Sequence, residues 1–293
     1  MIGRNIILAT ALVTFAMRVA SAHNSWLVAD KSFCAVGDSA RLAFVTGEVF
    51  PVSDSAANPD RFVQWIHLWK ADRRAISKFA VEGEGVAASV KLDRPGVHVF
   101  AVELKPRFIE LEPEKFEEYL RDEKAEGALQ VFRARADKEA PGREMYTKFA
   151  KTIVRAKGGS DSSGAEWRVG HRLEIIPINP PEEWQVGASI QVRVLFEDKP
   201  AIGLTLSAGH EGLAADTYST SIVVDSEGQA VVPLTGPGLW FLRTHVIRPI
   251  ADSGEDAKTS DREGDAPKAE WESFWASITF RVDGDDGKPI KPE

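Results

Sequence analysis

Between Ile190 and Phe196 the chain alternates, with Ile190, Val192, Val194 and Phe196 taking turns with Gln191, Arg193 and Leu195. A period of two marks a strand with one buried face. Residues 39–46, 61–70, 88–92 and 96–104 carry related runs of β-branched and aromatic residues, cut by Gly, Pro, Asp and Asn. VGDS and DRPG supply turns between them. From about Gly170 the pattern resumes in EDKPAIGLTLSAG, VVDSEGQAVVPL, GPGLWFLRTHVI and SFWASITFRV, short runs that predict an antiparallel sandwich.

The middle of the chain departs from this texture. In EPEKFEEYLRDEKAEGALQVF, Phe116, Tyr119 and Leu120 fall at i, i+3 and i+4, and Glu112 and Pro113 suit a helix start. Tyr146, Phe149, Ala150, Ile153 and Val154 repeat the spacing in REMYTKFAKTIVRA, which predicts a second helix after a break at EAPG. KGGSDSSGAE (157–166) reads as a linker and ADSGEDAKTSDREGDAPKAE (251–270) as a charged loop. The expectation is a mainly β protein of two β-sandwich domains with an α-helical insert between them. The first sandwich covers 23–108, the helical insert and linker 109–166, the second sandwich 167–284, and a tail 285–293.

Residues 1–22 fall outside this scheme. Arg4 precedes an apolar run over 6–17, and Ala20 and Ala22 stand where a signal peptidase inspects small residues. The run is shorter than the roughly 20 residues a membrane-spanning helix needs, and no later segment is apolar enough to span. The expectation is a signal peptide cut between Ala22 and His23, leaving a periplasmic or secreted protein that does not span the membrane. Loss of Arg4 and Arg18 takes the formal charge from −8 to −10, which disfavours nucleic acid and anionic lipid as partners. Cys34 is the single cysteine, so disulfides within the chain and thiolate-rich metal sites are excluded.

No phosphate-binding glycine loop, nucleophile elbow or HExxH stands in the sequence, so no enzyme is expected. Six histidines remain: His23, His67, His98, His171, His210 and His245. Cleavage would give His23 an α-amine beside its imidazole, a chelating pair suited to copper(II) or nickel(II). His98 shares a strand face with Phe100, Val102 and Leu104, and His245 with Phe241 and Arg243, so both suit ligands held on rigid strands. His171 is a fourth candidate. His67, between Trp65 and Trp69, is expected in aromatic packing, and His210 is expected to be exposed. One divalent ion shared by His23, His98 and His245 requires them to lie within about 10 Å, given ligand distances near 2 Å. A competing reading comes from Trp26, Trp240, Trp271 and Trp275, whose rings could serve a non-catalytic carbohydrate- or protein-binding adhesion module of the cell envelope.

Several blocks also carry a family pattern: AH-x-x-W-L at 22–27, VGDSARLAFVTGEVFP, PGVHVFAVELKPRFIELEPEKFEEYLRDE, APGREMYTKFAKTIV, GHRLEIIPINPP, DSEGQAVVPL and WESFWASITF. Together, over about residues 22–283, they resemble a bacterial exported family of unassigned function associated with nickel uptake. This is the nickel-uptake substrate-specific component family, often encoded beside nickel and cobalt transporters. The resemblance implies a periplasmic β-rich protein related to transition-metal handling, the metal here being nickel or, on the nitrogen-donor chemistry above, copper. It implies an Ig-like or transthyretin-like second sandwich, membrane metal transporter components as partners, and histidines at positions 23, 98 and 245. Metal ligation by those three is the expectation carried forward.

Overall fold

The computed structural model describes residues 24–158, 167–215, 217–250 and 268–283. The expected signal peptide, His23, most of the linker, most of the charged loop and the tail lie outside the described residues. The first half holds β1 (Asn24–Ala29), β2 (Phe33–Cys34), β3 (Ser39–Gly47), β4 (Phe62–Trp69), β5 (Asp72–Ala75), β6 (Ala80–Glu82), β7 (Gly85–Lys91), β8 (Gly96–Leu104) and β9 (Arg107–Leu111). Helices α1 (Pro113–Asp122) and α2 (Glu126–Ala134) follow, then the long β10 (Gly142–Ala156). The second half holds β11 (Leu173–Pro177), β12 (Ser189–Phe196), β13 (Lys199–Pro200), β14 (Thr205–His210), β15 (Thr220–Val223), β16 (Gln229–Pro233), β17 (Gly238–Pro249) and β18 (Trp271–Val282).

A ten-stranded sheet runs β15-β14-β17-β18-β10-β8-β4-β5, with β2 and β9 also paired to β10. Alternation along its strands aims side chains at two separate cores. Trp65, Phe100, Val102, Ala150 and Val154 pack with Leu27, Leu42, Phe44 and Val86 of the β1-β3-β7-β6 sheet. Ile66, Val99, Ala101, Phe149 and Ile153 pack with Ile175, Ile190, Val192 and Val232 of the sheet formed by β11, β12, β13 and β16. The protein is thus mainly β, as expected, and its two sandwiches share the middle sheet. A third cluster seats α1 and α2, through Phe116, Leu120, Leu129 and Phe132, on Trp271 and Trp275.

The expected helix over REMYTKFAKTIVRA is not formed; these residues make β10. The second helix lies earlier, at Glu126–Ala134. Residues 149–154 of β10 are buried without a break because the strand is covered on both faces. A strand buried on both sides loses the two-residue alternation that betrays it. Its apolar residues then matched the helical spacing by coincidence, and tertiary pairing overrode the pattern. β10 pairs antiparallel with β8 and parallel with β18.

Close packing at the start of β10 is specific to glycine. A Cβ at Gly142 would sit 2.1 Å from Cγ of buried Phe116, whereas a Cβ at exposed Gly127 meets nothing within 4 Å. Gly142→Ala is expected to lower stability by about 1–3 kcal/mol through overpacking. Gly127→Ala, in a helix, is expected to be neutral or to stabilise by up to about 1 kcal/mol. Denaturant melts of the two variants check both signs.

Candidate functional site

β1 packs over the faces of β10 and β18 and is tied down by side chain to backbone hydrogen bonds. Ser277 Oγ donates to the Ser25 carbonyl at 2.7 Å, and Thr279 Oγ1 donates to the Leu27 carbonyl at 2.5 Å. The contacts step two residues at a time on both strands, and the next step on β18 is Trp275. Lys148 Nζ reaches Ser25 Oγ at 3.1 Å. Trp275 pairs across the sheet with His245, and the two rings stack with centroids 4.7 Å apart.

His245 and Arg243 share one face of β17 and open on a cleft of about 180 Å³ beside the α1–α2 turn. Lys124 ends α1 in the left-handed region at φ 56°. Its N–H donates to Arg121 O and the Ala125 N–H donates to Leu120 O, each at 2.9 Å, the two bonds of a helix-closing Schellman turn. That turn aims Glu123 at β17. The buried Arg243 guanidinium donates to Glu123 Oε2 and to the Tyr218 hydroxyl. His245 Nδ1 stands 3.8 Å from Glu123 Oε2. Burial first, and then the charge of Arg243, pushes the His245 pKa down to about 3, so its imidazole is neutral at physiological pH.

On the other side of Trp275 lies a larger cavity of about 440 Å³. Glu144, Tyr146 and Lys148 line it from one face of β10, with Arg61 and Arg107 opposite charges to Glu144 on its wall. Tyr119 Oη donates to Glu144 Oε1 at 3.2 Å, Ser273 Oγ donates to the same oxygen, and Trp275 Nε1 donates to Ser273 Oγ at 2.8 Å. Glu144 Oε2 is buried with no hydrogen-bond partner among the described residues. Burial raises the Glu144 pKa to about 7 and lowers that of Lys148 to about 7, the latter helped by Arg61 and Arg243.

The three expected metal ligands do not form one set. His23 lies outside the described residues. His98 is the pairing partner of Val154, whereas His245 pairs with Trp275 and Trp275 with Lys148. Three strand spacings across and six residues along β10 put His98 and His245 about 24 Å apart. One ion cannot be shared over that distance, so the reading of His98 as a co-ligand of His245 is corrected. His98 is instead a satisfied core residue. One ring nitrogen faces His67 Nε2 at 2.8 Å, and the other donates to Arg94 O at 2.8 Å. Burial lowers the pKa values of both histidines, that of His67 to about 4.

His67 stacks on Phe100 at 4.6 Å, in the aromatic packing expected of it. His171 is buried over Phe149 and beside the Lys151–Glu174 pair. His210 is half-buried, not exposed, and donates from Nδ1 to Glu211 O at 2.8 Å while its ring packs on Trp240. Trp26, Trp240, Trp271 and Trp275 are all buried, so these four rings offer no flat stacking surface. Among the described residues no group of three or more His, Cys, Asp or Glu is placed to hold a metal. Glu123, Glu144, Lys148 and Arg243 escaped sequence reasoning. In REMYTKF, Glu144 and Lys148 stand four apart and read as the outer face of a helix, when both point inward from a strand.

The pattern of a protein family described as a domain of unknown function (DUF4198) matches residues 20–248. No curated protein matches. Among solved structures, the D0-D1 domain of intimin is 14% identical, with 87% of this chain and 97% of that chain covered, at a TM-score of 0.22. The Yersinia pseudotuberculosis adhesin InvE is 12% identical over 88% of this chain and 59% of its own, at 0.21. A putative membrane anchored protein from Corynebacterium diphtheriae is 12% identical over 92% and 61%, at 0.23. Likenesses this distant carry no argument about function.

Glu144 makes the stability pH-dependent. In the fold its carboxyl keeps its proton up to about pH 7, while in the unfolded chain it ionises near 4.5. Stability from this group therefore falls as pH rises from 4.5 to 7 and stays lost above. Glu144→Gln removes that slope. The variant is expected to match the parent near pH 4.5 and to exceed it by about 3 kcal/mol above pH 7. Denaturant melts at a series of pH values read the difference.

Proposed function

The chain belongs to this family of unknown function, and we propose that it is an extracytoplasmic transition-metal-binding protein accessory to metal uptake. After removal of residues 1–22, the α-amine and imidazole of His23 and the imidazole of His245 hold one nickel or copper ion. The observation that carries this reading is the stepped contact of β1 on β18, Leu27 at Thr279 and Ser25 at Ser277. A mature terminus that takes the next step meets Trp275, on which His245 stacks. Three nitrogens from two residues suit the T-shaped or square-planar preference of these ions, and copper outranks nickel at such sites. The neutral state of the half-buried His245 ring supports it as a ligand. Delivery to membrane transporter components completes the proposal, with no catalytic step.

The test is calorimetric titration with copper(II) and nickel(II) of protein that starts at His23. A form with one extra N-terminal residue and a His245→Ala variant are each expected to bind at least about tenfold more weakly. His98→Ala is expected to bind as the parent does. Equal affinity in the processed and extended forms would remove the terminal amine from the site and sink the proposal.

A further inference from the structure

The cavity beyond Trp275 has a composition of its own. Glu144, Tyr146 and Lys148 follow one another along one face of β10, each projecting to the same side. Arg107 on β9 is the pairing partner of Tyr146, and the Arg61 guanidinium lies 5.4 Å from the centre of the same ring. Lys148 Nζ lies 5.6 Å from that centre. Arg61, Arg107 and Lys148 thus share the cavity wall with Tyr146, and among the described residues Glu144 is its only acid. Among the described residues neither Arg61 nor Arg107 forms an ion pair; Arg61 spends one donor on the Lys105 carbonyl. Leu104, Ile109 and Trp275 give the wall an apolar part. At about 440 Å³ the space is within the range of small-molecule sites.

We propose that this cavity binds a small hydroxycarboxylate, with its carboxylate at Arg61 and Arg107 and its hydroxyl at Glu144 Oε2. The excess of positive charge selects an anion, and planar guanidinium forks match a carboxylate. The hydroxyl is required by Glu144. Its Oε1 is occupied by Tyr119 and Ser273, while Oε2 is buried without a partner among the described residues, an arrangement that costs stability until a ligand group fills it. Tyr146 and the apolar wall pack against the carbon skeleton. The proposal stands independently of the metal site, since none of these groups is asked to hold an ion.

The experiment is isothermal titration of processed protein, freed of metal on a chelating resin, with three matched pairs of probes. These are lactate and propionate, malate and succinate, citrate and tricarballylate, each pair differing by one hydroxyl, with inorganic phosphate as a further arm. At least one hydroxy acid is expected to bind, and about tenfold more tightly than its deoxy partner, the worth of one hydrogen bond. Arg107→Gln, at an exposed side chain, and Arg61→Gln are each expected to weaken that binding by about tenfold or more with an unchanged melting temperature. Glu144→Gln is expected to change the preference for the hydroxy acid while Arg107→Gln leaves it intact. Absence of millimolar binding by all three hydroxy acids, equal affinity within every pair, or phosphate binding as tight as the best acid overturns the proposal.

Discussion

Lys151 Nζ and Glu174 Oε1 meet at 2.8 Å with side chains 2% and 1% exposed, where the middle strand of the central sheet touches the start of β11. The Glu174 carboxylate also accepts the backbone N–H groups of Val169, Gly170 and His171, so the chain is pinned as it enters the second sandwich. Removing either partner would strand a charge in the core, which costs about 3–5 kcal/mol. The lysine is buried because β10 has a sheet on each face, and the glutamate is where it is because the lysine needs it. The second sandwich is closed by that bond as well as by apolar contact.

The same double burial decides what happens further along β10. Thr152 meets Thr279, and Thr279 in turn reaches the Leu27 carbonyl, which sets β1 on β18. Lys148 finds Ser25, and Glu144 finds Tyr119 and Ser273. A strand with polar side chains at its centre must have a partner for each, and the partners come from β1, α1 and β18. The cleft at His245 and the cavity at Tyr146 are places where these layers do not close completely, with Trp275 lining the cavity and stacked on His245. Their chemistry is inherited from the solution to the packing problem.

The strand over 96–104 and the alternating strand at 189–196 are legible because each has one dominant periodicity and clear turns at its ends. Phe116, Tyr119 and Leu120 likewise announce α1. The end of α1 was not legible, since its left-handed residue is Lys124 where glycine would have marked the stop. His98 and His245 looked alike in sequence, each on the inner face of a strand. One has both ring nitrogens engaged and the other lies against Trp275 at a cleft, a difference set by which strands lie beside them.

Periodicity and turn chemistry are local properties, written within ten residues of each other, and they were enough for a mainly β chain with a short helical insert. Which strands become neighbours is a different kind of quantity. The Ser277 hydroxyl and the Ser25 carbonyl are 252 residues apart in the chain and 2.7 Å apart in the fold. Neither carries any local sign of the other. Contacts of that span placed β10 at the centre, turned its charges inward, separated His98 from His245 and brought the head of β1 to Trp275. The reason is physical: a side chain's spacing along the chain tells which face it occupies, whereas its partner depends on what the rest of the molecule lays over that face.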